Sequence, residues 1–182
     1  MVCKTKAPIV IYGNKDIDIT IAMVASLKTG RAYIPVDISF PMERLQMIAE
    51  MVGCEMLVNF SDLQVNGSFQ CLGKKHLHQE VYTQFYHTYT TGNMVQLDDP
   101  CYILFTSGST GVPKGVTITR RNIENFVNWF QHDCQEEGIE VVLNQVSYSF
   151  DVSVIALYIY LPMGKTLFNI DKSMIDDTKT LF

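Results

Sequence analysis

The sequence has little that would tie it to a membrane or to nucleic acid. Its longest apolar run, 154–163, contains Pro162 and is far shorter than the roughly 20 residues a transmembrane helix needs. Basic clusters are missing: 14 Lys and Arg stand against 19 Asp and Glu, for a net charge of −5, so no surface tracking a phosphodiester backbone is expected. The cysteines, at positions 3, 54, 71, 101 and 134, are odd in number and never spaced as CxxC. That usage points to reduced thiols and a cytoplasmic protein. No charged-then-apolar leader opens the chain, so no signal peptide is expected. His76 and His78 lack Cys, Asp or Glu partners at ligand spacing, which argues against a metal site. No internal repeat is visible.

What is present is ordinary globular material, 47% hydrophobic and 18% charged over 182 residues, enough for one sizeable domain. Residues 8–12 read as a buried strand ended by Gly13 and Asn14. From Asp16 the pattern turns helical, with Ile19, Met23 and Leu27 on one line and Ile21, Val24 and Ala25 beside it. So wide an apolar arc suits a helix covered by a sheet and by further protein. Lys28 and Gly30 mark its end. Residues 32–36 form the next strand. Pro41 suits the first position of a second helix, in which Leu45, Ile48, Ala49 and Val52 repeat at helical spacing, and 56–58 is a third strand. The alternation over residues 1–60 predicts an α/β fold: a layered parallel sheet with right-handed crossovers and flanking helices.

Residues 61–99 are polar and aperiodic, a variable excursion with one short strand. Residues 100–182 begin with a hairpin and continue as a further α/β unit. Thr119 caps a helix carrying Ile123, Phe126, Val127 and Phe130 and ending at Gly138. Strands at 141–143 and 166–170 flank a helix marked by Val154, Leu157 and Leu161 and stopped by Pro162 and Gly164. Trp129, Tyr148, Phe150, Tyr158 and Tyr160 are expected in packing roles. Arg44 is expected as a solvated charge on its helix and is assigned no chemistry.

The hairpin holds the densest chemistry. Tyr102 to Phe105 lead into Thr106-Ser-Gly-Ser-Thr-Gly-Val-Pro-Lys-Gly115, and the chain leaves through the β-branched run 116–119. Glycines permit positive φ and close backbone approach. Successive amides form an anion-binding nest, to which hydroxyls and an ammonium add donors. That inventory suits a polyphosphate. It differs from G-x-x-x-x-G-K-[ST] opening a helix, because Lys114 lies between Pro113 and Gly115 and precedes a strand.

TSGSTGVPKG resembles the phosphate-loop signature of the adenylate-forming enzymes, which include acyl-CoA synthetases, luciferases and peptide-synthetase adenylation domains. Leu27-Lys-Thr-Gly-Arg-Ala-Tyr-Ile-Pro-Val-Asp37 with Pro41-Met-Glu-Arg44 resembles that family's earlier segment, and Tyr148-Ser-Phe-Asp-Val-Ser153 its substrate-side motif. The three occur in the family's order. Asn128-Trp129, Asn144-Gln145 and 170–174 bring the resemblance nearest to members that load D-alanine onto a carrier protein.

The resemblance implies the large N-terminal domain of such an enzyme, with residues 1–182 a partial AMP-binding domain. It implies ATP and Mg²⁺, D-alanine or another small amino acid, and a carrier protein bearing phosphopantetheine, with D-alanylation of teichoic acids as the end use. Thr106, Ser107, Gly108, Ser109, Thr110, Gly111 and Lys114 would hold nucleotide, with Lys114 screening the β and γ charge as the catalytic group. Asp151 would receive the substrate ammonium while also capping its helix. No acidic metal-binding motif, ribose-binding acid or small-domain lysine is present, so an interior piece inactive on its own is expected, with the metal ligands outside it. Met163 and Lys165 depart from the family's glycine pair around Gly164. Two rival readings stand beside this one: a peptide-synthetase adenylation domain for another amino acid, and an inactive truncated remnant.

Overall fold

Strand β1 (Ile9–Gly13) is buried along its whole length and forms the axis of the molecule. A computed structural model describes residues 6–75, 77, 94–107, 111–134, 138–171 and 174–175 of the chain. From β1 the chain passes through helix α1 (Ile17–Lys28) to β2 (Tyr33–Asp37), then through α2 (Met42–Met51) to β3 (Met56–Asn59). Both β2 and β3 pair parallel to β1, one on either side. A right-handed crossover that moves one way along a sheet and a second that moves back must put their helices on opposite faces. The core divides accordingly. Ile19 and Met23 of α1 pack with Ile9, Ile11 and Val58 on one face; Leu45, Ile48 and Ala49 of α2 pack with Val10, Tyr12 and Leu57 on the other.

Pro41 is the residue before α2 rather than its first residue. The outer part of α1's apolar arc is bare: Ile21 is 58% exposed. The short strand expected in 61–99 is β4 (Gln70–Gly73), parallel to β3. His76 and His78 lie outside the described residues.

Beyond β2 the sheet continues with β5 (Pro100–Thr106), parallel at Tyr33–Tyr102, and β6 (Lys114–Thr119), antiparallel to β5. The order is β4-β3-β1-β2-β5-β6, so the parallel sheet carries one antiparallel edge strand. Helix α3 (Arg120–Asp133) starts at a capping box in which Thr119 and Asn122 satisfy each other's amides, as Thr119 leads one to expect. It ends at Asp133, five residues short of Gly138.

A second, two-stranded parallel sheet joins β7 (Val141–Asn144) to β8 (Thr166–Asn169). Their crossover is a single α-helical turn, α4 (Ser153–Ile155), which runs into a π-helical stretch, Ala156–Tyr160. Within it Leu161 N–H reaches back five residues to the Ala156 carbonyl at 3.0 Å. An α-helical period is what the sequence suggests here, and the wider turn is the departure. Tyr158 hydrogen-bonds Tyr33 at 2.9 Å and stacks on Tyr102, fastening this crossover to the α1 face of the main sheet. Phe130, Ile159 and Tyr160 join it to α3. Trp129 and Phe150 are more than half exposed, unlike the packed aromatics around them.

Candidate active site

In open parallel sheets ligands bind outside the carboxyl ends of the strands. Here those ends are Gly13, Asp37 and Thr106. At Gly13 an added Cβ would lie 2.7 Å from Ile19 and 2.9 Å from Phe60, so the turn from β1 into α1 tolerates only glycine.

A cleft of about 460 Å³ opens at the end of β5. Thr106, Ser107, Ser149, Asp151 and Arg44 line it, together with apolar residues such as Phe40 and Phe150. Thr106 and Lys114 are paired in the ladder, so Lys114 belongs to β6 rather than to the loop. Fixed there, its exposed side chain leaves from a strand end. Gly111 has φ +80°, a conformation that penalises any Cβ. Gly108, Ser109 and Thr110 lie outside the described residues. The structure thus places Thr106, Ser107 and Asp151 around one cleft, with Lys114 beside Thr106.

Asp151 does not cap the helix. It stands in the turn before α4, where its carboxylate, among the described residues, accepts from the amide of Val152 at 2.9 Å, and the helical N-cap position falls to Val152. A local turn of this kind leaves most of the carboxylate's acceptor capacity free. The same residue lines a second cavity, about 350 Å³, which continues between α3 and α4 past Ile123, Phe126, Val154 and Ile155. Asp151 is therefore shared by a cleft that carries the Thr106 and Ser107 hydroxyls and by an apolar hollow. Tyr102 belongs to both cavities, and burial, with the Asp151 carboxylate adding to it, pushes its phenol up to about 12.

Lys15 and Ser147 of this site lie outside the family motifs, and Ser149 lies within the Tyr148–Ser153 motif with no role expected of it. Ser149 Oγ accepts from the Asp37 amide at 3.0 Å and donates to the Pro35 carbonyl at 3.0 Å; Ser147 Oγ donates to the Asp37 carboxylate. Together they clasp the Asp151 loop to the end of β2. The i, i+2 spacing of the two serines is the signal that could have found the clasp. Lys15, buried beside it, donates to the Asn144 carbonyl and, at 3.3 Å, to Asn144 Oδ1. Burial lowers its ammonium to about 8, against the opposing pull of Asp37. Tyr148, between them, bonds Thr20 at 2.9 Å and Asn144 at 3.0 Å.

Among the described residues no group of three His, Cys, Asp or Glu could hold a metal ion. Asp151 is the single carboxylate on the cleft wall, and one carboxylate is a poor fit to Mg²⁺, which takes several oxygens in octahedral geometry. No helix among them is long and apolar enough to cross a membrane.

Solved structures share this fold. The N-terminal subdomain of Klebsiella oxytoca NpsA, solved in complex with 3-hydroxybenzoyl-AMSN, superposes with a TM-score of 0.75 at 26% identity, over 93% of this chain and 42% of that one. A nonribosomal peptide synthetase, FmoA3 (S1046A) in its AMPPNP-bound form, matches in fold with a TM-score of 0.69 at 22% identity, over 91% of this chain and 17% of that one. In sequence, the chain is 38% identical over 178 residues to the D-alanine–D-alanyl carrier protein ligase of Bacillus cereus (strain ATCC 10987 / NRS 248), covering 97% of this chain and 35% of that protein. The ligase of Bacillus anthracis (strain CDC 684 / NRRL 3495) is 37% identical over 177 residues, with the same two coverages of 97% and 35%. The chain thus spans about a third of the length of the curated relatives it matches. The model of the AMP-binding enzyme family matches residues 3–182, and the chain belongs to that family.

Proposed function

We propose that this chain is part of a ligase that activates D-alanine with ATP, forming D-alanyl-AMP, and passes the acyl group to the phosphopantetheine thiol of a carrier protein. D-alanylation of teichoic acid is the use we assign to the product. The observation that carries the reading is the placement of Asp151 between a hydroxyl-lined cleft and an apolar hollow. A substrate ammonium paired with Asp151 would aim its carboxylate toward Thr106, Ser107 and Lys114, where the triphosphate would lie. The carboxylate oxygen then attacks the α-phosphorus, the bond to the bridging oxygen breaks, and pyrophosphate leaves. The protein's task is positioning and charge stabilisation. Thr106, Ser107, Gly108, Ser109, Thr110, Gly111 and Lys114 would grip the phosphates, with Lys114 offsetting charge on the leaving group. Among the described residues no set of side chains would hold the metal such chemistry uses.

The preference for D-alanine rests on identity to the ligases rather than on cavity size, since the hollow exceeds what a methyl fills. A peptide-synthetase adenylation domain is the second reading, favoured by the FmoA3 likeness. Loading separates them. Full-length protein, ATP and a phosphopantetheinylated D-alanyl carrier protein are expected to give a hydroxylamine-sensitive thioester with labelled D-alanine. Thioester formed with an L-amino acid and not with D-alanine would favour the synthetase.

A further inference from the structure

Arg44 leaves α2 in its first turn and reaches the end of β5. Its Nη2 donates to the Phe105 carbonyl at 3.1 Å, and its guanidinium lies 4.4 Å from the centre of the Phe40 ring. Phe105 is the residue immediately before Thr106, where the cleft's hydroxyls begin. β5 is paired with β2 at Tyr33–Tyr102, and among the described residues no strand pairs with Phe105 on that side; β6 holds it on the other, through Gly115. Arg44 thus supplies a donor where the parallel ladder has already stopped.

We infer that Arg44 is a positioning residue for the phosphate loop, fixing the Phe105–Thr106 peptide on the side that β2 leaves open. The inference rests on the adenylation reading for its kinetic consequence, but the contact itself does not. A planar guanidinium can stack on a ring and donate in its own plane at once, so Phe40 fixes its orientation and leaves an edge for the carbonyl. The charge also stands on the cleft wall, where it favours an anion. Arg44 acts on the peptide beside the reacting groups, and substrate contact is not part of its role.

Two readouts test this in full-length protein: hydrogen exchange of a peptide covering residues 103–107, and pyrophosphate-exchange kinetics. Arg44→Ala is expected to speed that exchange roughly tenfold and to raise the KM for ATP by about the same factor, with the amino-acid KM and the melting temperature held. Arg44→Lys keeps the charge, the stem and a donor but loses the stacked plane, so it is expected to recover part of the loss. It also covers the case in which the alanine variant does not fold. Wild-type exchange of 103–107 in a folded Arg44→Ala protein would overturn the inference, as would a Lys variant as impaired as Ala. Altered exchange in a protein that forms no adenylate would leave Arg44's role standing and remove the adenylation reading instead.

Discussion

In the proposed reaction Lys114 would supply a fixed cation and Asp151 an under-used anion. Lys114 is anchored by the ladder pair with Thr106, so its side chain starts from a defined strand position. Lys114→Ala in the full-length enzyme is expected to slow adenylate formation roughly 10- to 1,000-fold, the range for losing one electrostatic stabiliser. Rapid-quench formation of labelled adenylate measures it, and an unchanged rate would take Lys114 out of the mechanism. The motif pointed to Asp151, which does line the cleft, but the helix cap expected of it is absent. The sequence places it before an apolar helical run, whereas the chain makes one more turn before α4 begins. Phe150, beside it, looked like core because aromatics usually are; it instead forms the wall of the cleft.

Among the elements, the turn 147–151 depends on the end of β2. Ser149→Ala deletes a donor and an acceptor that both face backbone groups. A loss of about 1–3 kcal/mol in stability is expected, together with a rise in the amino-acid KM and little change for ATP. Equal rises for both substrates would show that the clasp does not act through Asp151. Lys15 gives this region a pH dependence. Its folded value of about 8 lies below the ordinary 10.5, so between these limits the unfolded chain holds a proton that the folded one has released. Stability contributed by Lys15 therefore rises from pH 8 towards 10.5. Denaturant titrations of wild type and Lys15→Met should diverge over that window, with wild type gaining. Parallel curves would place the ammonium elsewhere. Strands and helices of the first unit were readable to within a residue or two, because β1 and β2 are buried on both faces and α2 repeats at clean spacing. The π-helical stretch was not, since five residues are too few for its wider turn to show in the apolar spacing. Arg44 was read as solvated because its partner, Phe105, lies 61 residues away.

At the scale of the whole molecule, two apolar surfaces lie open. Ile17 and Ile21 face outward on α1, and Val141, Leu143 and Phe168 form the bare side of the β7–β8 sheet, with Leu143 68% exposed. Surfaces of this kind drive association. The 182-residue chain, expressed by itself, is expected to elute as oligomer or aggregate on size exclusion, and Leu143→Glu with Phe168→Lys should shift it toward monomer. A monomeric wild-type chain would mean those faces are satisfied as they stand.

Asp151 is proposed to select an amino acid for adenylation, and a substrate lacking the ammonium tests that role directly. ATP–pyrophosphate exchange in the full-length protein is measured with D-alanine and with propionate, which has the same carbon skeleton without the ammonium, in wild type and Asp151→Asn. Asn keeps the local acceptor for the Val152 amide, so the turn is preserved. The expected result is exchange with D-alanine and not propionate in wild type. In the variant the D-alanine KM should rise roughly tenfold or more, as for loss of a charge-assisted contact, with the ATP KM unchanged. Equal use of propionate and D-alanine by wild type, or a variant with wild-type D-alanine kinetics, would contradict the account.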